Sequence, residues 1–228
     1  MPNHASDGHL FTFAVVADTH VTEEDATAID GYDEDTVNLS LARSAYVVRQ
    51  LNRLAPDFVV HLGDLTEENA ARPQQPASRR RACEQFEQLG IHPYHVAGNM
   101  DIGDKPDATM FTEWVTPEAL NLYHKQFGRS WYSFDHQAIH FIVLNSQIMN
   151  GPLPEAEAQR MWLETDLAAH EGQRMVMFMH MPPFFVEEAE PGTGFYNSIN
   201  EPARSGLTAL MRQYQVECLF TGHTHFRA

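Results

Sequence analysis

Seven side chains of metal-ligand type fall at the carboxyl ends of five apolar runs. Asp18 and His20 end the run Phe11 to Ala17, Asp64 ends Phe58-Val59-Val60-His61-Leu62-Gly63, and Asn99 ends Tyr94-His95-Val96-Ala97-Gly98. His180 ends Met175-Val176-Met177-Phe178-Met179, and His223 and His225 follow Cys218-Leu219-Phe220-Thr221-Gly222. Such runs read as buried strands, and open α/β sheets take their ligands beyond the carboxyl ends of strands. Two side chains two residues apart on extended backbone point the same way, so Asp18-x-His20 and His223-x-His225 can each address one cation. Glycine before Asp64 and Asn99 lets the backbone turn without a Cβ clash while it delivers an oxygen ligand. Taken singly, each ending has an ordinary reading as a loop cap, a turn dipeptide or a histidine bonded to a buried carbonyl. Taken together, five endings point to metal chemistry.

The elements that must position these residues follow from the pattern between them. Leu10 to Ala17 has the aromatic and β-branched content of a strand, and the acidic stretch Glu23 to Asp35 reads as a loop. Val37, Leu41, Ala45, Val48 and Leu51 recur at helical spacing, predicting a helix over 36–54 that Ala55-Pro56 ends. A helix over 77–89, a strand over 92–97 and a long connection over 98–117 come next, then a helix over 117–127 with proline in its first turn. Trp131–Phe134 and Ala138–Leu144, separated by Asp135-His136-Gln137, predict an antiparallel hairpin, which a purely doubly wound sheet would lack. A helix over 153–170, a strand to Met179, a helix over 204–214 and a strand over 216–220 complete the chain.

The chain has 228 residues, enough for one domain with a sizeable core, and no apolar run long enough to span a membrane. Met1 to His9 is polar, without the features of a secretory signal. Two cysteines, Cys83 in a predicted helix and Cys218 in a predicted buried strand, fit a reducing, cytoplasmic compartment. A net charge of −16 repels a phosphate backbone, so long nucleic acid is excluded as a substrate. Oligomeric state is not set by any of these features.

The ordered set Asp18-x-His20, Gly63-Asp64, Gly98-Asn99, His180 and Gly222-His223-x-His225 resembles the calcineurin-like metallophosphoesterase superfamily over residues 12–225. Gly98-Asn-Met-Asp-Ile-Gly103, Trp131-Tyr-Ser-Phe134, Val143-Leu-Asn-Ser-Gln147 and Gln159-x-x-Trp162-Leu163 resemble the branch holding the cytosolic calcineurin-like phosphoesterase domain proteins of animals and their bacterial relatives. The resemblance implies a single domain over 1–228 with a four-layer α/β/β/α sandwich of mixed sheets. It implies two metal ions at the sandwich rim, Asp18, His20 and His225 holding one, Asn99, His180 and His223 the other, and Asp64 bridging both. Mixed imidazole and oxygen donors suit Mn, Fe or Zn over Mg, and a bridged pair ~3.5–4 Å apart activates water for attack on phosphorus. The implied activity is phosphatase or phosphodiesterase hydrolysis of a small phosphoester or a phosphorylated protein side chain. Asp64, Asn99 and Asp101 are the implied catalytic residues.

Two departures qualify this. Members normally carry a histidine after Gly-Asn, paired with the next acidic residue; here it is Met100, and a thioether donates no proton. The implied consequences are a substrate with an activated leaving group, another histidine such as His124 or His61 reaching in, or a metal-binding protein with little turnover. Members also continue past Gly-His-x-His with further strands, so either this sequence is a shortened one or the second sheet lacks its C-terminal strands. No tyrosine follows Asp64 in Leu65-Thr-Glu-Glu-Asn69, against the tyrosinate-iron purple acid phosphatases. Arg72 with Arg79–Arg81 is the one dense basic cluster, a helix start or a phosphate guide, and Glu187–Glu190 an acidic loop bordering the cleft or merely solvated.

Overall fold

The computed structural model describes residues 11–22, 34–73, 75–110, 112–191, 194 and 196–225. The polar N-terminus and residues 23–33 of the acidic stretch lie outside them. Two sheets face each other. The first is wholly parallel, ordered β1 (Phe13–Val16), β2 (Phe58–His61), β3 (Tyr94–His95). The second runs β4 (Tyr132–His136), β5 (Ile139–Val143), β6 (Arg174–Phe178), β7 (Cys218–Phe220), antiparallel between β4 and β5 and parallel thereafter. The expected hairpin is the source of the antiparallel pair, its turn centred on Gln137-Ala138.

Period-2 alternation assigns the layers. Phe58, Val60 and Leu62 meet Ile139, Phe141, Val143 and Phe178 between the sheets. Val59, on the other face of β2, packs with Val48 and Leu51 of α1 (Glu34–Leu54) and with Ala82 and Phe86 of α2 (Gln75–Phe86). Ile142, Met175 and Met177 turn the other way, onto Leu163 and Leu167 of α5 (Pro154–Ala169) and Leu207 of α6 (Ala203–Gln213). The result is helices, sheet, sheet, helices. Both faces of β2 and β5 are covered, which is why their sequences are apolar apart from His61 and His140.

The long connection after Gly98 is not all loop. It opens with a single turn, α3 (Asn99–Ile102), and ends at α4 (Pro117–Phe127), which Thr116 caps by accepting the Ala119 amide at 3.1 Å. A 3-10 turn, Ser146–Ile148, was not expected; the Asn145 side chain fixes it by accepting the Gln147 amide at 3.0 Å. β7 is shorter than predicted and has one neighbour, β6, among the described residues, so Cys218 is exposed and not in a buried strand.

Candidate metal centre

The hydrogen-bond ladder between β1 and β2 does not stop where the strands do. Asp18 N donates to Gly63 O at 3.1 Å, His20 N to Asp64 O at 3.1 Å and Val21 N to Leu65 O at 3.0 Å. Asp18, His20 and Asp64 are thereby held in fixed register. Five of the seven expected ligands sit at positive φ: Asp18 (54°), His20 (45°), Asp64 (53°), His223 (69°) and His225 (54°). Aspartate and histidine tolerate this region better than most residues, and at about 1–3 kcal/mol each such strain is concentrated where function demands it. Backbones approach closely as well. A Cβ on Gly98 would lie 2.3 Å from Asp64 Oδ1, and one on Gly222 2.7 Å from Asp18 Oδ2.

All seven expected ligands converge, in two groups. In the more open group, His225 Nε2 is 3.3 Å from Asp18 Oδ1 and 3.1 Å from His20 Nε2. In the buried group, His180 Nε2 lies 3.3 Å from Asp64 Oδ2 and 3.0 Å from Asn99 Oδ1, which His223 Nδ1 also meets at 2.9 Å. Asp64 sits between the groups, its Oδ2 also 3.8 Å from His20 Nε2. The Met100 amide donates to the other Asp64 oxygen at 2.8 Å, so position 100 contributes backbone to the site.

The histidines show which nitrogen faces inward. His180 Nδ1 donates to Leu62 O at 2.8 Å and His223 Nε2 to Tyr196 O at 3.1 Å, while His20 Nδ1 lies 2.8 Å from the Glu67 carboxylate. In each ring the remaining nitrogen points at the cluster. Committing one nitrogen to an acceptor is how proteins fix a metal-ligating imidazole. The nose-to-nose Nε2 atoms of His20 and His225 likewise suit a cation between them. These residues fit a pair of transition-metal ions.

Charge agrees. Burial pulls the Asp64 carboxyl upward, yet the neighbouring His180 outweighs it and holds Asp64 well below the usual carboxylate range. Burial lowers His180, but Asp64 and its hydrogen bond carry it to about 9, whereas burial beside His180 drops His223 to about 4. The cluster attracts positive charge at its centre.

Asp101 lies beneath this assembly. Its buried carboxylate accepts the Asp64 and Gly98 amides at 2.9 Å each and the Leu65 amide at 3.1 Å, and its carbonyl accepts from Arg79. Arg79 is therefore buried and structural, neither a solvated helix start nor a phosphate guide. His61 pairs Nε2 with Thr19 Oγ1 at 3.0 Å and accepts the Gly63 amide on Nδ1 at 3.2 Å, so neither nitrogen is left for a leaving group. His124 pairs with Ser130 at 3.0 Å on α4. In the acidic loop, Glu190 accepts the Phe185 and Glu187 amides at 2.7 and 3.1 Å, and Glu188 pairs with Arg212.

Two residues at the site carry no motif. Glu67 belongs to the polar loop after Asp64. Tyr196 packs its ring, tilted by 47°, with its centroid 4.6 Å from that of His223 and hydrogen-bonds the Asn99 side chain through its hydroxyl. Its loop is anchored by Asp107, which accepts Gly194 N at 2.9 Å and Asn200 Nδ2 at 2.7 Å, and by Arg204, which donates to Glu190 O and Pro191 O at 2.8 Å each.

A match to the calcineurin-like phosphoesterase family covers residues 11–227. The chain belongs to this family. Among relatives, the human serine/threonine-protein phosphatase CPPED1 is 28% identical over 210 residues, 87% of this chain and 63% of that protein. Purple acid phosphatase 21 of Arabidopsis thaliana is 30% identical over 199 residues, 81% of this chain and 42% of that one. The chain thus spans less than two thirds of either relative's length. A dimetal phosphatase from Danio rerio has a similar fold, with a TM-score of 0.66 at 16% identity over 94% of this chain and 82% of its own. The mixed α/β fold with two facing sheets that the resemblance implied is matched by this neighbour.

Proposed function

We propose that this family member hydrolyses phosphoester bonds at a two-metal centre built by Asp18, His20, Asp64, Asn99, His180, His223 and His225. The observation that carries the reading is the committed outer nitrogens of His20, His180 and His223, which leave the inner nitrogens of His20 and His180 facing carboxylates and that of His223 facing Asn99 Oδ1. Asp18, His20 and His225 would hold one ion, Asn99, His180 and His223 the other, with Asp64 between. Such a pair, of Mn, Fe or Zn, supplies hydroxide at neutral pH and neutralises charge on the phosphoryl group.

The chain's own residues do the rest. Asp101 fixes the backbone of Asp64 and is a positioning residue, with all three hydrogen bonds of its carboxylate made to main chain. Substrate enters from the His20 and His225 side, since His225 is exposed and His180 is not. The Tyr196 hydroxyl is a donor beside Asn99 that orients a phosphoryl oxygen, a task the Met100 thioether cannot perform. The substrate is a small phosphomonoester or phosphodiester or a phosphorylated protein side chain; the name of the CPPED1 relatives supports the last, and the net charge of −16 disfavours polyanions. The two free cysteines are compatible with a reducing, cytoplasmic compartment, and no helix among the described residues is long and apolar enough to cross a membrane.

Elemental analysis of the purified chain, followed by hydrolysis of aryl phosphomonoester and phosphodiester with added manganese, tests the proposal. Close to two ions per chain and turnover abolished by Asp64→Asn are expected. Two ions without turnover on either ester would replace this reading by the second one, a metal-binding protein, which Met100 favours.

A further inference from the structure

At the opposite end of the second sheet lies another cluster. Ile139, at the start of β5, pairs with Arg174 at the start of β6, whereas the candidate centre lies beyond the other ends of these strands. Here β4 contributes Asp135, β5 contributes His140, and α5 brings Asp166 and, at its C-terminal boundary, His170. Asp135 Oδ1 lies 2.8 Å from His140 Nδ1, and Asp166 Oδ2 lies 2.8 Å from His140 Nε2. The two imidazoles stack with ring centroids 3.5 Å apart, and one donor atom from each of Asp135, His140 and His170 lies within 4.8 Å of the others.

We propose that Asp135, His140 and His170 bind a divalent transition-metal ion of the zinc type, separate from the two-metal centre. Each ring commits one nitrogen to an acceptor, as a ligand would. His140 turns Nε2 to the Asp166 carboxylate, itself held by Ser133 Oγ at 3.0 Å, which leaves Nδ1 facing Asp135. His170 Nδ1 donates to Asp166 O at 2.7 Å, which leaves its Nε2 with a lone pair. A carboxylate or carbonyl behind each imidazole is the usual support of a zinc histidine. Charge points the same way: with a proton on each nitrogen of His140, two carboxylates face one cation, while a dication in place of the inner proton balances the pair. The donor set of two nitrogens and one oxygen suits zinc at about 2.0–2.2 Å per bond, with solvent in the fourth position beside the exposed Asp135. The rings tilt out of their stack to converge on the ion. Bound there, it staples the β4–β5 hairpin to the end of α5.

Zinc itself is the probe. The full chain and the variants Asp135→Asn and His170→Gln are stripped with chelator, reloaded with zinc and analysed for metal, with hydrolysis measured separately after loading with manganese. The expected result is about one zinc ion fewer per chain in each variant, smaller zinc-induced thermal stabilisation than in the wild type, and unchanged manganese-dependent hydrolysis. Asp135 is exposed, so its amide variant is the safer test of a folded chain. Equal zinc content in all three proteins would overturn the proposal and leave His140 as a proton clamped between carboxylates. A zinc deficit accompanied by a proportional loss of manganese-dependent hydrolysis would overturn it too, because the missing ion would then belong to the two-metal centre.

Discussion

Met100 and Tyr196 contribute to one site in different ways. Met100 gives Asp64 a backbone hydrogen bond and brings no proton donor, whereas Tyr196 brings a hydroxyl to Asn99 from a distant loop. Met100→His should therefore raise hydrolysis of an alkyl phosphate, a poor leaving group, more than that of an aryl phosphate, because general acid catalysis helps most where the leaving group is a strong base. Equal gains on both esters in steady-state kinetics would sink the leaving-group explanation. Tyr196→Phe removes one donor aimed at developing charge and should lower kcat by about 10²-fold with a smaller change in KM. A variant with unaltered kcat would exclude Tyr196 from phosphoryl positioning.

Elements hold these residues by exchanging polar groups over long sequence distances. The segment 99–117 is tied to the Tyr196 loop through Asp107, whose carboxylate takes Thr109 N at 2.9 Å, Thr109 Oγ1 at 2.7 Å, Gly194 N and Asn200 Nδ2. Lys105 donates to Ser198 O and, at 3.0 Å, to Asn200 Oδ1 across the same junction. Burial raises the Asp107 carboxyl, but these hydrogen bonds outweigh it and keep the group well below its ordinary value. A carboxyl depressed on folding contributes stability that is fully present above its unfolded pKa, about 3.9, and is lost as pH falls through its folded pKa. Asp107→Asn should cost about 1–3 kcal/mol at pH 7. In thermal melts the gap between wild type and variant should persist to about pH 5 and narrow below about pH 4. A gap independent of pH down to the acid limit would show that the charge on Asp107 contributes nothing.

The molecule as a whole depends on the aromatic layer between its sheets. Phe141 is fully buried, with Phe58 at 5.1 Å, Phe134 at 5.2 Å, Phe13 at 5.7 Å and Phe178 at 6.0 Å between ring centroids. Because ligands come from strand ends in both sheets, the same packing that stabilises the sandwich sets the distance between the two ligand groups. Phe141→Ala should lower stability by about 3–5 kcal/mol in urea denaturation and weaken metal retention with it. Full metal content in an equally destabilised variant would uncouple the site from the sandwich.

By itself the sequence determined the donor types, their order along the chain and the strands they terminate. Those properties are local: ligand chemistry is residue identity, and a covered strand announces itself as an apolar run bounded by polar residues. Contacts alone decided the rest. His20 and His225 meet across a separation of 205 residues, and His180 finds the carbonyl that orients it 118 residues away. The carboxylate of Asp101, a residue implied by its motif as catalytic, accepts main-chain amides, Arg79 leaves its basic cluster for the interior, and Glu67 and Tyr196 join the site from loops without periodicity. Which nitrogen a histidine turns inward depends on the acceptor behind it, and no spacing rule supplies that acceptor. The cluster at Asp135, His140, Asp166 and His170 stayed hidden for the same reason: a cross-strand pair and a helix end become neighbours only once the hairpin packs against α5.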